Sequence, residues 1–162
     1  MKYLAILLIF PFLGKKYQSV QDLLAVDATV LHGDSLYIGK TEVTNKEYLE
    51  FTKYIEQNYS DTYSSVLPNS SMWESVPNKP KAYESYYFKH PAYKNYPVVN
   101  ITNAQAVQFC KWKAEMLNEK LQKIHLSKRD SVKLIRVRLP NREEWRAAAL
   151  GTLPSYSKYA WA

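Results

Sequence analysis

RVRLPNREEW, Arg136 to Trp145, gathers three arginines and two glutamates around Pro140. Its reading decides between an acid-base site and a structural corner. Upstream, Ile135, Val137 and Leu139 alternate with Arg136 and Arg138, the period of a half-buried strand. Pro140 has no N–H to give a ladder and stops the strand. Asn141 with Glu144 three residues on forms a helix cap, Glu143 and Glu144 fall in the first turn where the helix dipole favours them, and Gly151 suits the C-terminus. The stretch predicts a strand, a stop and a capped helix with Trp145 directed at the core, and its charges need no catalytic role.

The same grammar appears twice upstream. SLYIGK, Ser35 to Lys40, predicts a strand, and Thr44 with Glu47 forms a capping box at the head of TNKEYLEFTKYIEQNY. Val43 and Tyr48 sit at hydrophobic-staple positions, and Tyr48, Phe51, Thr52, Ile55 and Tyr59 recur at helical spacing. Pro97 to Ile101 predicts another strand, and Thr102 with Gln105 a second capping box. The helix that follows carries Val107, Cys110, Ala114, Leu117, Leu121 and Ile124 on one stripe, widened by Phe109, Trp112 and Met116. Cys110 is therefore read as a buried structural thiol rather than a nucleophile. SKRDS, Ser127 to Ser131, is a polar turn before VKLIRVRL.

Between the first two helices, residues 58–96 lose all periodicity and carry tyrosines at 59, 63, 83, 86, 87, 93 and 96. A loop this long in a compact domain is either functional or pinned by its own side chains. One reading makes Tyr86, Tyr87 and Tyr93 a surface that stacks on glycans or grips a partner. The preferred one fastens the excursion to the core by its rings.

Composition limits the remaining choices. At 162 residues, 46% hydrophobic and 23% charged, the chain has the profile of one globular domain. The excess of 22 Lys+Arg over 15 Asp+Glu, +7 in all, is spread along the sequence as solvated surface, and no nucleic-acid-binding signature accompanies it. With Cys110 alone, neither an intrachain disulfide nor a multi-cysteine metal site can form, and His32, His90 and His125 lack ligand spacing. At the N-terminus, MKYLAILLIFPFLGKKYQ places one lysine before an apolar run from Tyr3 to Leu13, too short to span a bilayer, which takes about 20 residues. It reads as a signal-peptide-like segment over residues 1–20, with export to the periplasm or outer envelope as the consequence, although neither a small-residue cleavage pair nor a lipobox cysteine follows. A buried N-terminal strand or helix is the alternative. Residues 21–35 read as a linker and 36–162 as the folded unit.

YIGKTEVTNKEYLEF, YPVVNITNAQAVQFCKW, RLPNREEWRAAALG and YAWA, in that order from Tyr37 to Ala162, resemble successive landmarks of the sulfatase-modifying-factor domain, the formylglycine-generating-enzyme fold. The motif residues are Thr44, Glu47, Cys110, Trp112, Arg138, Leu139, Pro140, Asn141, Glu144 and Trp145. YYFKHPAYKNYPVVNI, from Tyr86, is most similar to the gliding-motility lipoprotein branch linked to type IX secretion, whose members are regarded as structural components. The resemblance implies an α+β fold, a variant of the C-type lectin fold, low in regular secondary structure and with long ordered loops.

The sequence also departs from the family pattern. Asn141 stands where the family usually has Thr, Arg142, Arg146 and Ala147 replace commoner Glu, Glu and Tyr, and YAWA replaces Tyr-Pro-Trp-Gly. The family's domain normally continues past that landmark, so residues 36–162 are expected to be its N-terminal part. The resemblance places the enzymes' catalytic cysteine pair and calcium ligands in the later part, and matches Cys110 to a helical Phe/Tyr-Cys-x-Trp position instead. No catalytic, cofactor or metal residue carries over; calcium and copper would enter only with a C-terminal half. The expectation is a non-catalytic envelope protein with protein partners, possessing no nucleic-acid role and touching membrane only through its N-terminal segment. The alternatives are the front portion of a formylglycine-generating oxidase and a lectin-like module. Ending the domain here is also expected to leave Trp112, Trp145 or Trp161 partly exposed.

Overall fold

The computed structural model describes residues 20–25, 28–32, 36–78, 83, 86–123 and 134–151. Helix α1 spans Val20–Ala25, and strands β1, Ala28–His32, and β2, Leu36–Gly39, pair antiparallel with Ala28 opposite Gly39 and Val30 opposite Tyr37. Helix α2 covers Asn45–Asn58, the short α3 Tyr63–Val66, α4 Asn103–Gln122 and α5 Arg142–Leu150, with 3₁₀ segments at Ser60–Thr62, Ser70–Ser75 and Pro91–Tyr93. Helices thus dominate a small two-stranded sheet, which is an α+β domain. No helix among the described residues is long and apolar enough to cross a membrane.

All three caps form as read. The Thr44 hydroxyl accepts from the Glu47 N–H at 3.3 Å and the Thr44 N–H donates to the Glu47 carboxylate at 2.8 Å. Thr102 with Gln105, and Asn141 with Glu144, repeat this reciprocal pattern. Each satisfies orphan N–H groups of a helix start from within four residues of chain.

The main core lies between α2 and α4. Val43, Tyr48, Phe51, Val66, Ala106, Phe109, Cys110 and Trp112 are all buried there. Tyr48 stacks on Phe109 at 5.7 Å, and Phe51 meets both edge-on at 5.3 and 5.6 Å, the arrangement the ring quadrupoles favour. The Tyr48 hydroxyl donates to the Val66 carbonyl at 2.8 Å, seating α3 against α2. A second cluster joins Leu23, Leu24 and Ala28 to Leu117 and Leu121 at the far end of α4. Val137 packs against both.

Several expectations are corrected. The linker over 21–35 instead holds most of α1 and all of β1, because Leu23, Leu24 and Ala28 find apolar partners on α4. Pro97–Ile101 is no strand: Thr44 and Pro97 make one isolated bridge, and Asn100 turns left-handed with φ 58°. Residues 134–139 alternate in burial as read, but residues 134–140 have no regular secondary structure and no strand pairs with them among the described residues. A side-chain amide substitutes: Asn118 accepts from the Ile135 N–H and donates to the Ile135 carbonyl, both at 2.8 Å. Residues 124–133, with Ile124 and the polar turn, lie outside the described residues, as do the signal-like run and YAWA.

On α4 the buried stripe runs through Ala106, Phe109, Cys110, Lys113, Leu117 and Leu121, and Val107 is turned outward. Lys113 is an exception to the solvated lysines, buried with its ammonium 5.9 Å from the Trp112 ring centre. Trp112, named among the tryptophans expected to be partly exposed, is buried as well, whereas Trp145, read from its helix as directed at the core and also named among those three, is 51% exposed. The reason is rotational: Glu144 is turned into the corner by its cap and by Arg138, and Trp145, about 100° further round the helix, falls outside. Trp161 lies outside the described residues.

Candidate functional site

Three places hold chemistry-bearing side chains: the Arg138–Glu144 corner, the Cys110 pocket in the core, and the tyrosine-rich excursion. At the corner, the Arg138 guanidinium donates to both Glu144 oxygens, at 2.6 and 2.5 Å, in a fork. Glu144 also accepts from the Asn141 N–H at 2.8 Å, and Arg138 reaches the Leu139 carbonyl at 3.1 Å. One carboxylate thus clamps the segment before Pro140 to the head of α5. The cap was legible in the sequence; the fork was not, because Arg138 and Glu144 meet only once Pro140 has turned the chain.

The Arg138 hydrogen bonds, followed by the Asn141 N–H, hold the Glu144 carboxyl down at about 2, against 4.5 unperturbed. A folded-state value below the unfolded one stabilises the fold above pH 4.5, and that contribution drains away as pH falls from 4.5 toward 2. Glu144→Gln removes the titration. Its melting temperature is expected to fall less than the parent's between those pH values, and parallel acid limbs in thermal melts would refute the assignment.

Cys110 is 3% exposed, enclosed by the main core cluster, and burial pushes its thiol up to about 11. A reactive cysteine needs the opposite, an exposed thiolate at neutral pH. Ellman's reagent at pH 8 is expected to label native protein only as fast as it opens, and urea-unfolded protein at the rate of a free thiol. Rapid native labelling would contradict that placement.

The copper and calcium implied by the resemblance can be tested against these residues. Copper held by two thiols finds one cysteine in the sequence, and that one is sealed and protonated. Among the described residues no group of three or more His, Cys, Asp or Glu side chains could hold a metal ion. These residues fit neither ion, and no step through a metal is derived for them.

In the excursion, Tyr87 is corrected from surface to support: it is buried, its hydroxyl donates to the Pro97 carbonyl at 2.8 Å, and Trp73 and Tyr93 pack on it at 5.0 and 5.6 Å. The buried Asn45 amide donates to the Tyr87 and Tyr93 carbonyls, while the Asn45 and Lys46 N–H groups donate to the Tyr96 and Lys94 carbonyls. The first turn of α2 therefore holds the loop from beneath. Tyr86 stays exposed and Tyr93 is half-buried, so the fastening and surface readings each describe some of the rings. The roles of Asn45 as clamp and of Tyr96 as an exposed ring beside Tyr86 were missed by sequence, since an asparagine in the first turn of a helix carries no distinguishing pattern.

Two capped helices around an aromatic core, a short ladder and a clamped strand-to-helix corner define an α+β domain built largely on loops. The chain belongs to the family of sulfatase-modifying factor enzyme 1-like domains, whose profile matches residues 14–162. The match takes in the segment first read as a linker, in keeping with its packing on α4. No curated protein and no solved structure matches the chain.

Proposed function

We propose that this protein is a non-catalytic member of its family, exported to the cell envelope and acting there as a binding or scaffold module in a gliding-motility or type IX secretion assembly. The observation that carries this reading is the state of its one thiol: Cys110 is core, where oxidation of a substrate cysteine would demand accessible thiolates. The signal-like N-terminus supports export, with membrane association through that segment alone. YYFKHPAYKNYPVVNI supports the gliding-motility branch. On this reading the domain is a C-type-lectin-like variant, its partners are envelope proteins, and it takes no cofactor through residues 1–162.

Affinity purification of the tagged protein from fractionated cells tests the proposal. The expected result is recovery in the envelope fraction with a reproducible set of envelope proteins; a cytoplasmic protein with no partner sinks it. The family's link to sulfatase modification favours a second reading, the front part of a formylglycine-generating oxidase. A coding sequence that continues past Ala162 into a cysteine pair, with conversion of a sulfatase-derived cysteine peptide by the product, would establish that one instead.

A further inference from the structure

Four rings of the excursion form a continuous strip. Tyr86 meets His90 at 6.0 Å, His90 meets Tyr93 at 6.3 Å, and Tyr93 meets Tyr96 at 5.4 Å. Tyr86 and Tyr96 are about half exposed, at 54% and 49%, and His90 is exposed, so the strip is open to solvent. It is also held in shape before any ligand arrives. His90 Nδ1 accepts from the Ala92 N–H at 3.1 Å, which orients the imidazole, and Tyr87 and Asn45 fix the backbone beneath. A rigid surface of this kind loses little conformational entropy on binding.

The segment that carries the strip has charge of one sign. Lys89 and Lys94 are exposed between its rings, and residues 86–96 contain neither Asp nor Glu. We infer that this strip is a binding site for an anionic polysaccharide, with the ring faces taking the C–H faces of the sugars and Lys89 and Lys94 taking the carboxylates or sulfates. Ring orientation separates this ligand from a single-stranded nucleic acid. Successive planes meet at 80°, 63° and 83°, nearly perpendicular, whereas a run of stacked bases wants ring faces aligned along the strand. A sugar presents an apolar face and a hydroxyl edge, and neighbouring perpendicular rings offer a face to one and a phenol to the other.

This site stands apart from the scaffold role and does not depend on it. Native gel electrophoresis of the purified full chain, in gels cast with polygalacturonate, dextran, poly-glutamate or oligo-deoxythymidine, tests it. Retardation by polygalacturonate alone is expected, relieved by added salt as screening weakens the lysine contacts. Removing one exposed ring, Tyr86→Ala or Tyr96→Ala, is expected to weaken binding about tenfold, and Lys89→Gln with Lys94→Gln to remove most of the salt dependence. The lysine pair also serves as the test should a ring variant fold poorly. Equal retardation by poly-glutamate would reassign the strip to an acidic protein segment, and equal retardation by oligo-deoxythymidine to a nucleic acid. Either result, no retardation at all, or full retention by the ring and lysine variants, overturns the inference.

Discussion

Phe51→Ala is expected to destabilise the fold by about 3–5 kcal/mol, the range for deleting a buried phenyl ring. Phe51 is fully buried and lies where the two long helices exchange aromatic contacts: Tyr48 from its own helix at 5.3 Å, Phe109 and Trp112 from α4 each at 5.6 Å. Three rigid rings cannot collapse into the space, so the cavity persists and its cost adds to the lost transfer free energy. A domain of this size is stable by about 5–15 kcal/mol in total, so this one substitution removes roughly a fifth of it at the least. Urea unfolding followed by tryptophan fluorescence measures it, with Tyr59→Ala as the control. Tyr59 is 55% exposed at the end of the same helix, and a surface change of that kind stays near 0.5 kcal/mol. Equal midpoints for the two variants would mean that the α2–α4 seam is not the core.

What the sequence made legible and what it hid divide along physical lines. Caps are chemistry between residues three apart, and Thr44–Glu47, Thr102–Gln105 and Asn141–Glu144 all read correctly. Strands are not local. Alternation at Ile135, Val137 and Leu139 correctly forecast which side chains turn inward, yet it could not say what would bond the backbone, and the partner is the Asn118 side chain. Trp145 failed for a related reason. Its helix has a correct start, but its rotation is set by Arg138, six residues before Glu144 and on the other side of a proline. Of the candidate surface residues, Tyr86 and Tyr93 reach the exposed strip while Tyr87 props it from below, a distinction made by the Asn45 clamp and invisible in a run of tyrosines.

The N-terminal segment provides the second large effect, because the two readings of it differ there by several kcal/mol. As a linker, residues 21–35 would tolerate Leu23→Ala within about 0.5 kcal/mol. In the structure Leu23 is 1% exposed, packed with Leu24 and Ala28 onto Leu117 and Leu121, and the same substitution is expected to cost about 2–5 kcal/mol. The segment is held elsewhere too: the Lys40 ammonium donates to the Ala25 carbonyl at 2.8 Å, and β1 pairs with β2 along most of its length. The cavity left by Leu23→Ala therefore cannot be relieved by α1 simply peeling away without losing those bonds as well. Coupling to α4 makes the test specific. Leu117→Ala alone should cost a similar amount, and the double variant should cost less than the sum, since each truncation already empties part of the space the other fills. Strict additivity, or a Leu23→Ala midpoint equal to the parent's, would restore the linker and confine the core to the α2–α4 seam.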